Sequence, residues 1–136
     1  MRTLPWQSAA GVGHIPPVRT TAALLLAIAL VAVVLSAAAL DTSPSTILAD
    51  PDRFDGQPVT ITGAITNLRQ TVSRRGNPYY TFDLSDGART IRVFSFGRSP
   101  CKDGTAATVT GTFEKVRRVG RYVFSNEVTA TEVTCR

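Results

Sequence analysis

The amino-acid sequence predicts an all-β domain, a closed barrel of five strands preceded by one N-terminal hydrophobic helix. Three observations carry that prediction: an uncharged apolar block from Thr21 to Leu40 (TAALLLAIALVAVVLSAAAL), a run of alternating apolar and polar segments between Val59 and Cys135, and glycines Gly63 and Gly111 inside the first and fourth of those segments. Alternation with a period of two is the pattern of a half-buried strand. Five such strands in about 80 residues, joined mostly by hairpins, suit a small barrel better than a seven-stranded sandwich.

The block comes first in the chain. About 20 apolar residues at a helical rise of about 1.5 Å reach about 30 Å, the thickness of a bilayer's hydrocarbon core, so the segment is long enough to span. It also reads as a signal-peptide core, Ala22 to Leu35, followed by small residues Ser36 to Ala39 that resemble a cleavage site ahead of Leu40. Arg2 and Arg19 precede it, while Asp41, Asp50, Asp52 and Asp55 follow, and the positive-inside bias puts the N-terminus in the cytoplasm. Both readings place the domain outside, either membrane-anchored or secreted or periplasmic after cleavage near Ala39. The organisation is then residues 1–40 as signal peptide or transmembrane anchor, 41–57 as a linker with a short helical turn, and 58–136 as the barrel.

The chain has 136 residues, enough for one domain, with 15 Lys plus Arg against 10 Asp plus Glu. Two of those bases, Arg2 and Arg19, precede the block, so the remainder holds 13 bases and 10 acids. The single His, Trp and Met are His14, Trp6 and Met1, all before the block. A domain without histidine excludes His-based catalysis and His-ligated metal, and the expectation is a non-enzyme with no catalytic residue, metal or cofactor.

The remaining elements follow in order. Ser43 to Asp50 (SPSTILAD) offers N-cap candidates and a short apolar pair before Pro51, enough for one helical turn. In the first strand Val59, Ile61, Gly63 and Ile65 alternate with threonines and alanine, and Leu68 breaks the parity, which a bulge near Gly63 to Asn67 would absorb. Ser73 to Asn77 (SRRGN) turns the chain into Tyr79 to Ser85, where Tyr80, Phe82 and Leu84 share a face, and Asp86-Gly87 signals a tight hairpin. In Arg89 to Phe96, Ile91 and Val93 face the core, with Arg92, Phe94 and Phe96 opposite. The loop Gly97 to Gly104 is too short for a helix and leads to the fourth strand, Ala107 to Val116. A turn at Arg117 to Gly120 then opens the last, Arg121 to Cys135. Cys101 and Cys135 are the only cysteines, and an even count in an oxidising compartment reads as a disulfide. A turn centred near Arg118 would also put Cys135 within about one position of facing Cys101. Closing that loop stabilises by roughly 3–4 kcal/mol in the chain-entropy model.

The segment VTITGAITNLRQTVSRRGNPYYTFDLSDGARTIRVFSFG, residues 59–97, resembles nucleic-acid-binding OB domains of the tRNA-anticodon and helicase type, such as the N-terminal domain of the exonuclease VII large subunit. The pattern is a strand with G-x-I-x-N, a basic loop, an aromatic strand ending in L-x-D, then I-R-V-F. The stretch T-V-T-G-T-F, residues 108–113, is similar to the fourth strand of such domains. The resemblance implies a barrel that binds single strands across its second and third strands, between the first-to-second and fourth-to-fifth loops.

Suitable chemistry falls there. Between Arg69 and Arg121 lie 11 bases and 4 acids. Arg74-Arg75 in one loop and Arg117-Arg118 in the other would flank one groove, with Arg69 and Arg121 beside them. Tyr79, Phe94 and Phe96 would stack bases while Arg92 contacts phosphate. The expected partner is single-stranded nucleic acid or another polyanion, with the membrane as a second contact through residues 21–40 if these are not cleaved. A protein-binding adaptor is the alternative. Two other resemblances weaken on inspection. An exported nuclease of the staphylococcal type needs clustered carboxylates, and only Asp83 and Asp86 are close in sequence. The haem chaperone of cytochrome c maturation shares the anchor-plus-barrel architecture but attaches haem through a histidine that this domain lacks.

Overall fold

A computed structural model describes residues 37–136. The anchor or signal-peptide segment lies outside the described residues except for Ala37 to Leu40. Among the described residues the order is β1 (Leu40–Thr42), α1 (Pro44–Ala49), α2 (Pro51–Phe54), β2 (Pro58–Val72), β3 (Pro78–Ser85), β4 (Thr90–Phe96), β5 (Ala106–Val119) and β6 (Tyr122–Cys135). Strands β2 to β6 form the expected five-stranded ring, β2–β3–β4–β6–β5 and back to β2, antiparallel except for β4 against β6. β1 adds a sixth strand, parallel to the start of β2.

Closure depends on β2 serving two neighbours. Its first half, Pro58 to Ala64, pairs with β5, and its second half, from Ala64 to Val72, pairs with β3. Gly63 stands at the changeover, where a Cβ would lie 2.3 Å from the Ser85 carbonyl oxygen; at Gly111 on β5 a Cβ would lie 2.2 Å from that of Thr129. Both contacts are with backbone, which has no rotamer to move, so any side chain would push two strands apart. Farther along β2 the register shifts between Thr66 and Arg69, and Asn67 adopts a left-handed φ of 54°. That bulge returns Leu68 to partial burial against the core, resolving the parity break. The interior is filled by the alternating residues of all five strands, among them Ile61, Ile65, Phe82, Leu84, Val93, Val109, Phe113 and Val128.

Residues 41–57, expected as a linker, are built into the domain. Ser43 caps α1 by accepting the Thr46 N–H at Oγ, Pro44 opens that helix, and Ile47 and Phe54 are buried in the barrel core. Two helices this short carry too few apolar positions to show a periodicity, which is why the segment reads as polar connection. Asp86 fastens α1 to the β3–β4 turn: Oδ2 accepts the Ser45 N–H at 2.9 Å, while Oδ1 accepts those of Ala88 and Arg89. The Ser45 side chain foremost, then the N–H groups of Arg89, Ala88 and Ser45, hold the Asp86 carboxyl well below the usual carboxylate range.

The last hairpin also differs from expectation. β5 continues to Val119 and the chain reverses at Gly120 and Arg121, with Gly120 at a φ of 58°, so Arg117 and Arg118 are strand residues facing Phe124 and Val123. Val116 and Val119 flank the arginine pair and carry the strand through it, since β-branched residues suit an extended ribbon. With the turn displaced, Cys135 faces Ala107 rather than Cys101. The Cys101–Cys135 disulfide is present all the same, with the Cα atoms 5.6 Å apart. The connection at residues 97–105 supplies the reach, and as expected it holds no helix.

Two outcomes follow from this packing. Gly63→Ala and Gly111→Ala should each lower stability by about 1–3 kcal/mol, read as a fall in the urea midpoint; an unchanged midpoint would mean that the strands part freely. Asp86→Asn should lower the thermal midpoint at pH 7. Because the folded Asp86 carboxyl titrates below its ordinary value of 3.8, its stabilisation is complete above that pH and is lost as pH falls toward the folded value. The melting curves of the two proteins should therefore draw together progressively as pH falls below 3.8.

Candidate functional site

The outer faces of β2, β3 and β4, with the β5–β6 hairpin along one side, enclose an open groove of about 900 Å³. Alternation puts Tyr80, Phe82, Ile91 and Val93 inside the barrel, so Tyr79, Phe94 and Phe96 must project outward. Tyr79 and Phe96 are direct cross-strand partners. The Phe94 ring lies 5.4 Å from that of Tyr79 and 5.0 Å from that of Phe96, the latter edge to face. Phe96 is 69% exposed. No residue of 40–57 lines the groove, so that segment does not cover the aromatic platform.

Sequence-predicted arginines divide into two groups. Arg92 and Arg117 are in the groove and already paired: Arg92 Nε is 2.8 Å from Asp83, and Arg117 Nη1 is 2.5 Å from Glu127, with its Nε 3.7 Å from Glu114. The Arg117 side chain is 19% exposed and that of Glu127 only 4%. Its guanidinium lies 4.7 Å from the centre of the Phe94 ring and 5.9 Å from that of Phe124, bridging platform and hairpin through cation–π contacts. Arg69, Arg74, Arg75, Arg118 and Arg121 form the second group, exposed and, among the described residues, without a carboxylate within 4 Å. Arg69 lines the groove, with its Nε 3.4 Å from Asn67 Oδ1. Arg74 and Arg75 occupy the β2–β3 turn, Arg118 lies near the end of β5, and Arg121 forms the β5–β6 turn, where its guanidinium sits over Tyr122. Free positive charge is thus at the hairpin ends and at Arg69 in the groove, while Arg92 and Arg117 are compensated.

Several lining residues escape a reading of the sequence. Phe124, Val119 and Glu127 come from the β5–β6 hairpin, whose register was misplaced with the turn. Gln70 has no signature at all, although its amide bonds to Tyr79, Gly97 and Ser99 across three segments. The alternation of Phe124 with Val123 and Ser125 was the one available signal, and it needed the correct turn to be read.

No family model and no curated protein matches the chain in sequence. Among solved structures it is similar to a chain assigned as aspartyl-tRNA synthetase from Leishmania major, with 12% identity and a TM-score of 0.54 over 77% of this chain and 22% of that one. It is also similar to RecG bound to a three-way DNA junction, with 21% identity and a TM-score of 0.51 over 71% of this chain and 13% of that one. The chain therefore matches less than a quarter of either protein. With β2 to β6 numbered one to five, the ring order is 1-2-3-5-4, closed back on strand one. The domain is an OB fold. In this OB fold the groove lies across the second and third strands and between the first-to-second and fourth-to-fifth hairpins, the face on which the fold places its ligands.

Arg117 should be structural as much as functional. Arg117→Met leaves the buried Glu127 without its cation and should cost about 3 kcal/mol, the lower end for a broken buried pair, whereas Arg118→Ala at the exposed neighbouring position should change stability by less than about 0.5 kcal/mol. Thermal unfolding of both variants checks the contrast.

Proposed function

We propose that this OB domain binds single-stranded nucleic acid in the groove, without catalysis. The observation that carries the proposal is the platform of Tyr79, Phe94 and Phe96, set between two hairpin ends whose arginines Arg74, Arg75, Arg118 and Arg121 have no carboxylate partner among the described residues. Rings and free cations divide the work that a single strand requires: bases stack on π faces in a sequence-tolerant way, and arginines track the phosphates. A sulfated glycan or a lipid headgroup would use the arginines and leave the exposed Phe96 ring and the half-buried Tyr79 and Phe94 beside it without a counterpart, so the platform favours nucleic acid over other polyanions. The DNA junction held by RecG is in keeping with that class of ligand.

The disulfide supports residence in an oxidising compartment, with residues 21–40 as the export segment, either retained as an anchor or removed near Ala39. Binding then takes place outside the cytoplasm.

Fluorescence anisotropy of the full chain in detergent micelles with labelled oligo-dT, across a salt series, tests the reading. Binding should weaken as salt rises, with a log–log slope of roughly −0.7 for each phosphate neutralised. Phe96→Ala should weaken binding by about 1–3 kcal/mol with that slope unchanged, because it removes stacking and not charge. The absence of binding at low salt, or equal affinity for a sulfated glycan, would overturn the proposal.

A further inference from the structure

A continuous chain of bonds runs from the disulfide to the aromatic platform. Cys101 is buried within the β4–β5 connection and bridges to Cys135 at the end of β6, 34 positions away. Ser99 Oγ accepts the Cys101 N–H at 3.2 Å and donates to the Cys101 carbonyl at 2.8 Å. The Ser99 N–H in turn donates to Gln70 Oε1 at 2.9 Å. Gln70 Nε2 donates to the Tyr79 carbonyl at 2.9 Å and to the Gly97 carbonyl at 3.0 Å. One side chain on β2 thereby fastens the backbone of a platform residue on β3, the residue that follows Phe96 on β4, and the disulfide-bearing connection.

Both N–H donors of the Gln70 amide and one lone pair of its oxygen are used, in a side chain that itself lines the groove. An exposed glutamine without partners samples many rotamers, so three simultaneous bonds require the three backbone groups to be held in place already. The far end of the connection has its own anchors: Gly104 N–H to the Ile65 carbonyl, Ile65 N–H to that of Thr105, and Leu68 N–H to Asp103 Oδ1. The near end, around Ser99 and Cys101, is held by Gln70, by the Gly97 N–H on the Pro78 carbonyl, and by the disulfide.

We infer that Gln70 is a positioning residue of the groove and that the Cys101–Cys135 disulfide holds the segment it works against, so that reduction of the bridge lowers affinity for the ligand. The effect on affinity rests on the nucleic-acid reading above. Reduction takes two electrons from a dithiol: one reductant thiolate attacks a bridge sulfur and the other cysteine leaves as a thiolate that takes up a proton. The second reductant thiolate then resolves the mixed disulfide, leaving two cysteine thiols and an oxidised reductant. Cys135 is exposed, which gives the reductant access from the β6 end.

The test measures oligo-dT binding by the full chain in detergent micelles at fixed salt, oxidised and after dithiothreitol, for the wild type and Gln70→Leu, together with amide exchange at Ser99. Reduction should weaken wild-type binding roughly five- to tenfold, as expected for loss of one or two positioning hydrogen bonds. Gln70→Leu should weaken the oxidised protein similarly, and reduction should then add little, since perturbations on one path are not additive. Unchanged affinity on reduction, independent addition of the two effects, or loss of the barrel's far-UV dichroism on reduction would each overturn the inference. If the oxidised wild type binds no oligo-dT, the nucleic-acid reading falls while the clamp is judged on exchange alone: faster exchange of the Ser99 amide on reduction upholds it, and an unchanged rate overturns it.

Discussion

The close approach of backbone at Gly63 is the constraint on which the rest of the structure depends. A strand has two edges, and β2 must give its first half to β5 and its second half to β3, with the Ser85 carbonyl in the space that a side chain would fill. Without that bend the sheet would stay open, and β5 and β6 would not return to the same face as the β2–β3 hairpin. Gly111 plays the matching part on β5, at the point where its register against β6 shifts. Two residues that contribute no side chain thus decide that two distant hairpins border one groove.

The same alternation that fills the barrel builds the site. Because Phe82, Leu84, Ile91 and Val93 point inward, the neighbouring Tyr79, Phe94 and Phe96 have nowhere to go but outward, where Arg117 packs on Phe94 and Phe96 stays exposed. Placement of charge follows a second rule, that a cation removed from water needs a partner. Arg117, largely buried against Phe94 and Glu127, has one, whereas Arg74, Arg75, Arg118 and Arg121 remain in solvent and do not need one. Phosphate affinity would therefore come from the hairpin ends and Arg69, while the rest of the floor offers flat rings and neutralised pairs.

Much of the fold was legible in the chain because the signals were local. Period-two alternation identified β2, β3, β4 and β5, the interior glycines pointed to closure, and the parity break at Leu68 announced the bulge found between Thr66 and Arg69. The platform residues were legible for the same reason, as the polar-side members of strands with a clear inward face. What failed was registration. Arg117-Arg118 looked like a turn because paired basic residues are common in loops, yet the left-handed residue that a tight reversal needs is Gly120. The cysteines were paired correctly on an incorrect geometric ground, since the bridge is made by a connection that folds back and not by a cross-strand position.

By itself the sequence determined which residues face inward, where glycine is obligatory, how many strands form the ring, and that positive charge is concentrated between Arg69 and Arg121 while the balance of the whole domain is modest. Those properties are set residue by residue, by side-chain volume, polarity and backbone freedom. Only the tertiary structure decided which arginines are free and which are spoken for, that residues 41–57 belong to the barrel, and that Gln70 joins three segments. These are properties of partners brought together by closure from as far as 63 positions apart, as for Asp52 and Lys115, and no local pattern encodes them.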